Sequence, residues 1–95
     1  MPGDLMKRCE IKTAYMRDGR KVPGWKEIPV SELSTGTQPG VRCVHCHGGV
    51  RVHKQHVAGH GPADHVEHLD HQDSEHCIGG HFFLGEHRMS IHPAE

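Results

Sequence analysis

A chain of 95 residues, 34% hydrophobic and 24% charged, with a formal net charge of -1, has room for one small domain and little apolar material to bury. Leu, Ile, Val and Phe together number 18, just under the share at which burial offsets the entropy of ordering, so a free-standing hydrophobic core is not expected. No apolar run approaches the ~20 residues needed to cross a bilayer.

Chains this short and polar usually recruit a disulfide set, a metal or a partner subunit, and four cysteines and twelve histidines supply the first two. The start Met1-Pro2-Gly3-Asp4 lacks the charged and apolar regions of a secretory signal. A cytoplasmic, reducing location without membrane association is therefore expected, where cysteines favour metal over disulfides.

One domain over 1-95 is expected, with a change of character near residue 42. Residues 1-42 carry eight Lys/Arg against five Asp/Glu and no histidine, and read as a β-hairpin scaffold and linker. Residues 43-95 carry three Lys/Arg against seven Asp/Glu and all twelve histidines, and read as a His-rich zinc-binding module. From residue 8 to 16 polar and apolar residues roughly alternate, which suits a half-buried strand. Asp18-Gly19 signals a turn, and residues 22–28 offer the returning strand, which Pro23 confines to an edge or an irregular stretch. Residues 29–33 fit one helical turn, and residues 34–40, rich in Ser, Thr, Gly and Pro, are expected as an exposed loop.

Residues 41–52 read as strand, tight turn, strand, with Cys43 and Cys46 at the turn and Gly48-Gly49 permitting positive φ. Residues 54–62 are expected to form a loop. Residues 64–70 fit either a short helix or a strand running into a helix. The densest apolar cluster, Phe82-Phe83-Leu84, is expected to pack over the staple that the cysteines form.

The stretch Cys43-Val44-His45-Cys46-His47-Gly48-Gly49 carries the chemistry. Two thiolates separated by two residues reach one tetrahedral zinc from a single turn, and Cys77 is the only cysteine downstream. A histidine then closes the tetrahedron, with His65, His68 and His81 competing for the position. The pair His65-Val66-Glu67-His68 lies between the two cysteine groups and is the better placed.

A Cys-x2-Cys with glycine, a Val-x-Val strand, a loop, His-x-x-His and a final Cys resemble the N-terminal zinc-finger-like segment of the competence protein CoiA family. The matching positions are Cys43, Cys46, His65, His68 and Cys77, with Val66-Glu67 where the family has Phe-Ala. The resemblance covers residues 43-77 and implies a metal-stabilised module; the nuclease portion of that family is a separate domain for which this chain has no room.

The expected fold class is α+β: a small zinc-stabilised domain with an N-terminal β-hairpin and a Cys-x2-Cys zinc-finger-like module. The expected ligands of Zn2+ are Cys43, Cys46, His68 and Cys77, with His65 as alternative ligand or supporting partner. Cys9 is expected as a buried strand residue, an all-thiolate site using it being the alternative. Covalent haem attachment at residues 43–47 normally needs export, and a redox dithiol wants a βαβ setting that this chain lacks.

The expected function is structural zinc binding in the service of an interaction, with nucleic acid the leading partner class and a protein partner the other. Arg17, Arg20, Lys21 and Lys26 supply charge for phosphates and Trp25 a stacking surface. The alternatives are a metal-dependent nuclease or hydrolase, drawn with His65 and Glu67 or Asp70 around an open metal position, and a histidine-rich metal-handling protein. Oligomeric state is open.

Overall fold

A computed structural model describes residues 6–55 and 63–95 of the chain. Alternating residues build the first strand, β1 (Arg8–Arg17), and the Asp18-Gly19 pair returns it as β2 (Arg20–Pro29). Both turn residues have positive φ, 49° at Asp18 and 78° at Gly19, the backbone that a two-residue hairpin needs to match strand twist. Pro23 sits in β2, the outermost strand, where its missing N–H breaks no ladder on a second side. A 3-10 turn over Val30–Glu32 follows.

The chain continues as β3 (Gly36–Arg42), β4 (Gly49–His53) and β5 (His65–His68). All neighbours are antiparallel, and the five-stranded sheet has the order β2-β1-β3-β4-β5. The sheet crosses residue 42, since β3 pairs with both β1 and β4. Met6, just ahead of β1, bridges to Val66 in β5, and Val66 N–H donates to its carbonyl at 2.9 Å. The far edge of the sheet therefore curls back toward the start of the first strand.

The exposed loop expected over residues 34–40 is corrected by β3. Its pairing with β4 shifts register between Thr37 and Arg42, around Pro39 and Gly40, and Gly40 takes φ 75°. A bulge of this kind absorbs turn-forming residues while the strands on either side supply hydrogen-bond partners. Residues 64–70 take the second of the two forms expected, a strand running into a helix. Asp70 caps α1 (His71–His76), its carboxylate accepting from Gln72 N–H at 2.8 Å. The described residues accordingly form a small domain of mostly antiparallel sheet with one short helix. The loop expected over 54–62 lies outside the described residues from position 56 onward, as does the start of the chain.

Among the described residues the buried apolar set is Met6, Cys9, Ile28, Val30, Val41, Cys43, Cys46, Val50, Val52, Val66 and Cys77. Four of the eleven are cysteines and none is aromatic, so the core offers less apolar area than its size suggests. Phe82-Phe83-Leu84 does not close it: Phe82 is 52% exposed and Leu84 70%. Residues 81–95 instead run as a strap without regular structure, bound through backbone groups. Leu84 N–H and Arg88 N–H donate to Glu75 and His76 carbonyls, and Ser90 N–H and Ala94 N–H to those of Cys46 and His47.

Candidate metal centre

The turn between β3 and β4 places two sulfurs at one end of the sheet. Cys43 N–H donates to Gly48 carbonyl at 2.8 Å and His47 N–H to Cys43 carbonyl at 3.1 Å, closing the turn on itself. The positive φ expected at Gly48-Gly49 falls on His47 instead, at 67°; histidine is among the residues that tolerate this region. Gly48 is required for space, since a methyl there would collide with the Asp73 carboxylate and lie 3.3 Å from Cys46 Sγ. Buried Asp73 accepts from Ser90 Oγ at 3.0 Å, which ties the strap to the helix beside this turn.

Cys77 arrives at the C-cap of α1 and His68 at the end of β5, opposite Val50 in the β4 register. One ligand atom from each of Cys43, Cys46, His68 and Cys77 lies within 4.8 Å of the other three. Cys43 Sγ and Cys77 Sγ are 3.6 Å apart and all four cysteines are free thiols. That separation is far too long for a disulfide, but sulfurs sharing a tetrahedral zinc at about 2.3 Å sit roughly 3.8 Å from each other.

Two features of the surroundings fit a metal. Each of the three sulfurs faces the backbone N–H two residues further on: His45 N–H to Cys43 Sγ at 3.3 Å, Gly48 N–H to Cys46 Sγ at 3.4 Å, and Gly79 N–H to Cys77 Sγ at 3.4 Å. Such donors favour thiolate over thiol. His68 Nε2, in contrast, is buried with no hydrogen-bond partner among the described residues. A buried nitrogen without a partner is costly, and a metal ion held with the three sulfurs would satisfy it.

Ionisation follows the same geometry. Neighbouring Cys46 and Cys77 pull the Cys43 thiol far below its ordinary value, while Cys43 and Cys77 push Cys46 far above it. The cluster thus shares its protons as a unit rather than titrating residue by residue. Burial pushes His68 down, but the Cys43 and Cys77 sulfurs outweigh it and hold the imidazole up at about 9.

The remaining candidates lie elsewhere. His65 is on the opposite face of β5, with His53 and Glu67. His81 is exposed, its ring edge-on to Phe82. Cys9 is fully buried near Cys43 but outside the four-residue group, and burial first, then the Cys43 charge, pushes its thiol up. Arg17, Arg20 and Lys21 flank the hairpin turn, and Lys26 is exposed on β2. Trp25 is half-buried, with the Arg42 guanidinium 3.9 Å above its ring and Arg42 Nε donating to Glu10 at 2.8 Å. One stacking face of the indole is therefore already used. His53 carried no signal of its own in the sequence, because only the β4–β5 register places it opposite His65.

Residues 2–95 match the model of an uncharacterised protein family. The chain belongs to that family. Neither a curated protein nor a solved structure matches it. Nothing in the family match bears on the likeness to the competence protein CoiA family, which rests on Cys43, Cys46, His65, His68 and Cys77 alone. No helix among the described residues is long and apolar enough to cross a membrane.

Proposed function

We propose that the chain is a small zinc-stabilised interaction module, in which Cys43, Cys46, His68 and Cys77 hold one structural Zn2+ and the β1–β2 hairpin offers a basic surface to nucleic acid. The observation that carries the zinc reading is His68 Nε2, buried without a partner beside three sulfurs that each face a backbone N–H. Three thiolates and one imidazole form a closed donor set, which is the pattern of structural rather than catalytic zinc. The likeness to the CoiA segment points the same way, and four free cysteines suit a reducing, cytoplasmic setting.

Support for the nucleic-acid reading comes from the hairpin. Only Glu10 and Ile11 of β1 pair with β3, and Ile11 faces Lys26 of β2, so from Lys12 to Trp25 the hairpin extends as a two-stranded ribbon. That ribbon carries four basic residues, Lys12, Arg17, Arg20 and Lys21, against one acid, Asp18, and Lys26 lies at its base. A two-stranded ribbon has the width of a DNA major groove, and its charges release phosphate counterions.

Elemental analysis and zinc X-ray absorption of tag-free protein test the first half. One zinc per chain with three sulfur and one nitrogen ligands is expected, and a nitrogen-and-oxygen shell would overturn it. For the second half, duplex and single-stranded oligonucleotides are titrated at several salt concentrations. Replacing Arg17, Arg20 and Lys21 together by Ala should weaken binding and flatten the salt dependence by roughly one unit of slope per lost contact. Absence of any salt-dependent binding would reject nucleic acid in favour of a protein partner.

A further inference from the structure

We propose that His53, His65 and Glu67 form a second metal site, open to solvent, that takes a divalent transition cation such as zinc.

His53 and His65 are direct partners across the β4–β5 register, so their rings leave the same face of the sheet. The rings stack with centroids 5.0 Å apart and planes 12° from parallel. Glu67, two residues after His65, shares that face. Its Oε2 lies 3.0 Å from His53 Nε2 and its Oε1 3.4 Å from His65 Nε2. Arg51 stands opposite Glu67 in the register, yet both carboxylate oxygens turn to the imidazoles. One ligand atom from each of the three residues falls within 4.8 Å of the other two.

The hydrogen bonding of His65 separates this arrangement from a chance cluster. Its Nδ1 is 2.7 Å from the Ala63 carbonyl, and a carbonyl only accepts, so Nδ1 carries the hydrogen. In the neutral ring the Nε2 lone pair then points at a carboxylate, and two acceptors 3.4 Å apart repel unless a positive charge lies between them. A ring fixed by donation to a backbone carbonyl, with its other nitrogen free, is how metal-ligating histidines are oriented. A charge-assisted N–H···O bond would draw the pair to about 2.8 Å. Two ligands on one tetrahedral cation, each bonded at about 2.0–2.1 Å, instead stand roughly 3.3 Å apart, close to the 3.4 Å at His65 and longer than the 3.0 Å at His53.

The neighbourhood is braced. Asp64, just before His65, accepts from Gln55 N–H at 2.7 Å and pairs with Lys54 Nζ at 3.3 Å, which fixes the strand ends that carry His53 and His65. The side chain of His65 is 7% exposed, that of His53 39% and that of Glu67 53%. The site therefore has a buried anchor and an open side, where water or an exogenous ligand completes the coordination. Two imidazoles and a carboxylate select zinc, cobalt or nickel rather than calcium or magnesium.

The test titrates Zn2+ into protein with 15N-labelled histidine that already carries its tight equivalent of zinc. A second binding step is expected, in which Nε2 of His53 and His65 shift and the other imidazoles do not. His53→Ala and Glu67→Gln should each weaken that step at least tenfold while the first equivalent and the amide dispersion persist. A variant with His71 and His81 replaced by Ala should leave it unchanged. No second step, shifts spread over the other histidines, or equal binding by both site variants would overturn the proposal. Loss of the first equivalent alone would instead reject the cysteine centre and leave the second step readable.

Discussion

His65 and His68, three residues apart in β5, project from opposite faces of the sheet, one beside His53 and Glu67 and the other toward Cys43 and Cys77. Strand parity makes the two histidines unequal, and single substitutions should expose it. His68→Ala removes one of four ligands and should weaken tight zinc binding by ~100-fold or more, at or beyond the 10–100-fold lost with a mere supporting partner. His65→Ala should keep the tight zinc and cost about 1 kcal/mol of stability through the lost bond to Ala63. Competition against a chromophoric chelator measures both. Equal loss in the two variants would contradict the assignment.

Cys9 distinguishes the mixed centre from an all-thiolate one. It is fully buried but outside the four-residue group. Cys9→Ala should retain one zinc per chain and lose about 1 kcal/mol, the scale of one small apolar group leaving the core. Cys46→Ser should lose the tight zinc. Metal content after gel filtration, with a denaturation curve for each variant, reads both outcomes.

Gly80 follows Cys77 by three residues, and its N–H donates to the Cys77 carbonyl at 2.8 Å. A methyl at Gly80 would run into the Ser74 backbone, with Ser74 Cα only 2.7 Å away. Backbone cannot swing aside as a side chain does, so Gly80→Ala should cost about 2 kcal/mol or more. Displacement of the α1 C-terminus should also loosen zinc. Thermal melts with and without excess zinc separate these effects, since added metal offsets the second more than the first.

His68 gives the metal-free and zinc-bound proteins opposite pH behaviour. In the metal-free protein its pKa rises from 6.5 to about 9. A raised value means stability that is fully present below about 6.5 and lost as pH climbs through about 9. Zinc requires the same nitrogen deprotonated, so its apparent affinity should rise across that window and binding should release protons. Melting of metal-free protein and zinc competition, each from pH 6 to 9.5, test the two trends.

Local chemistry made some of this legible in the sequence. Asp18-Gly19 specifies a two-residue hairpin through its own backbone preference, and Pro23 points to an outer strand because it lacks a donor. Cys43 and Cys46 share a turn by spacing alone. What stayed hidden depended on partners distant in sequence. Residues 36–40 carry loop chemistry, yet β1 and β4 on either side make residues 36–42 a strand. His65 and His68 share a face on a helix and oppose each other on a strand, so their roles turned on an ambiguity of period. Phe82 and Leu84 suggested core by hydrophobicity, but the strap that carries them is held by carbonyls of Glu75, His76, Cys46 and His47. Backbone bonds of that kind leave no trace in residue type.

The most direct test of the metal-stapled fold is proton NMR of tag-free protein before and after removal of zinc by a strong chelator. The eleven buried apolar residues among those described, four of them the cysteines, are too small a core to hold the sheet alone. Collapse of amide dispersion on chelation and its recovery with one equivalent of zinc are the expected result. Full dispersion after complete metal removal would contradict the account.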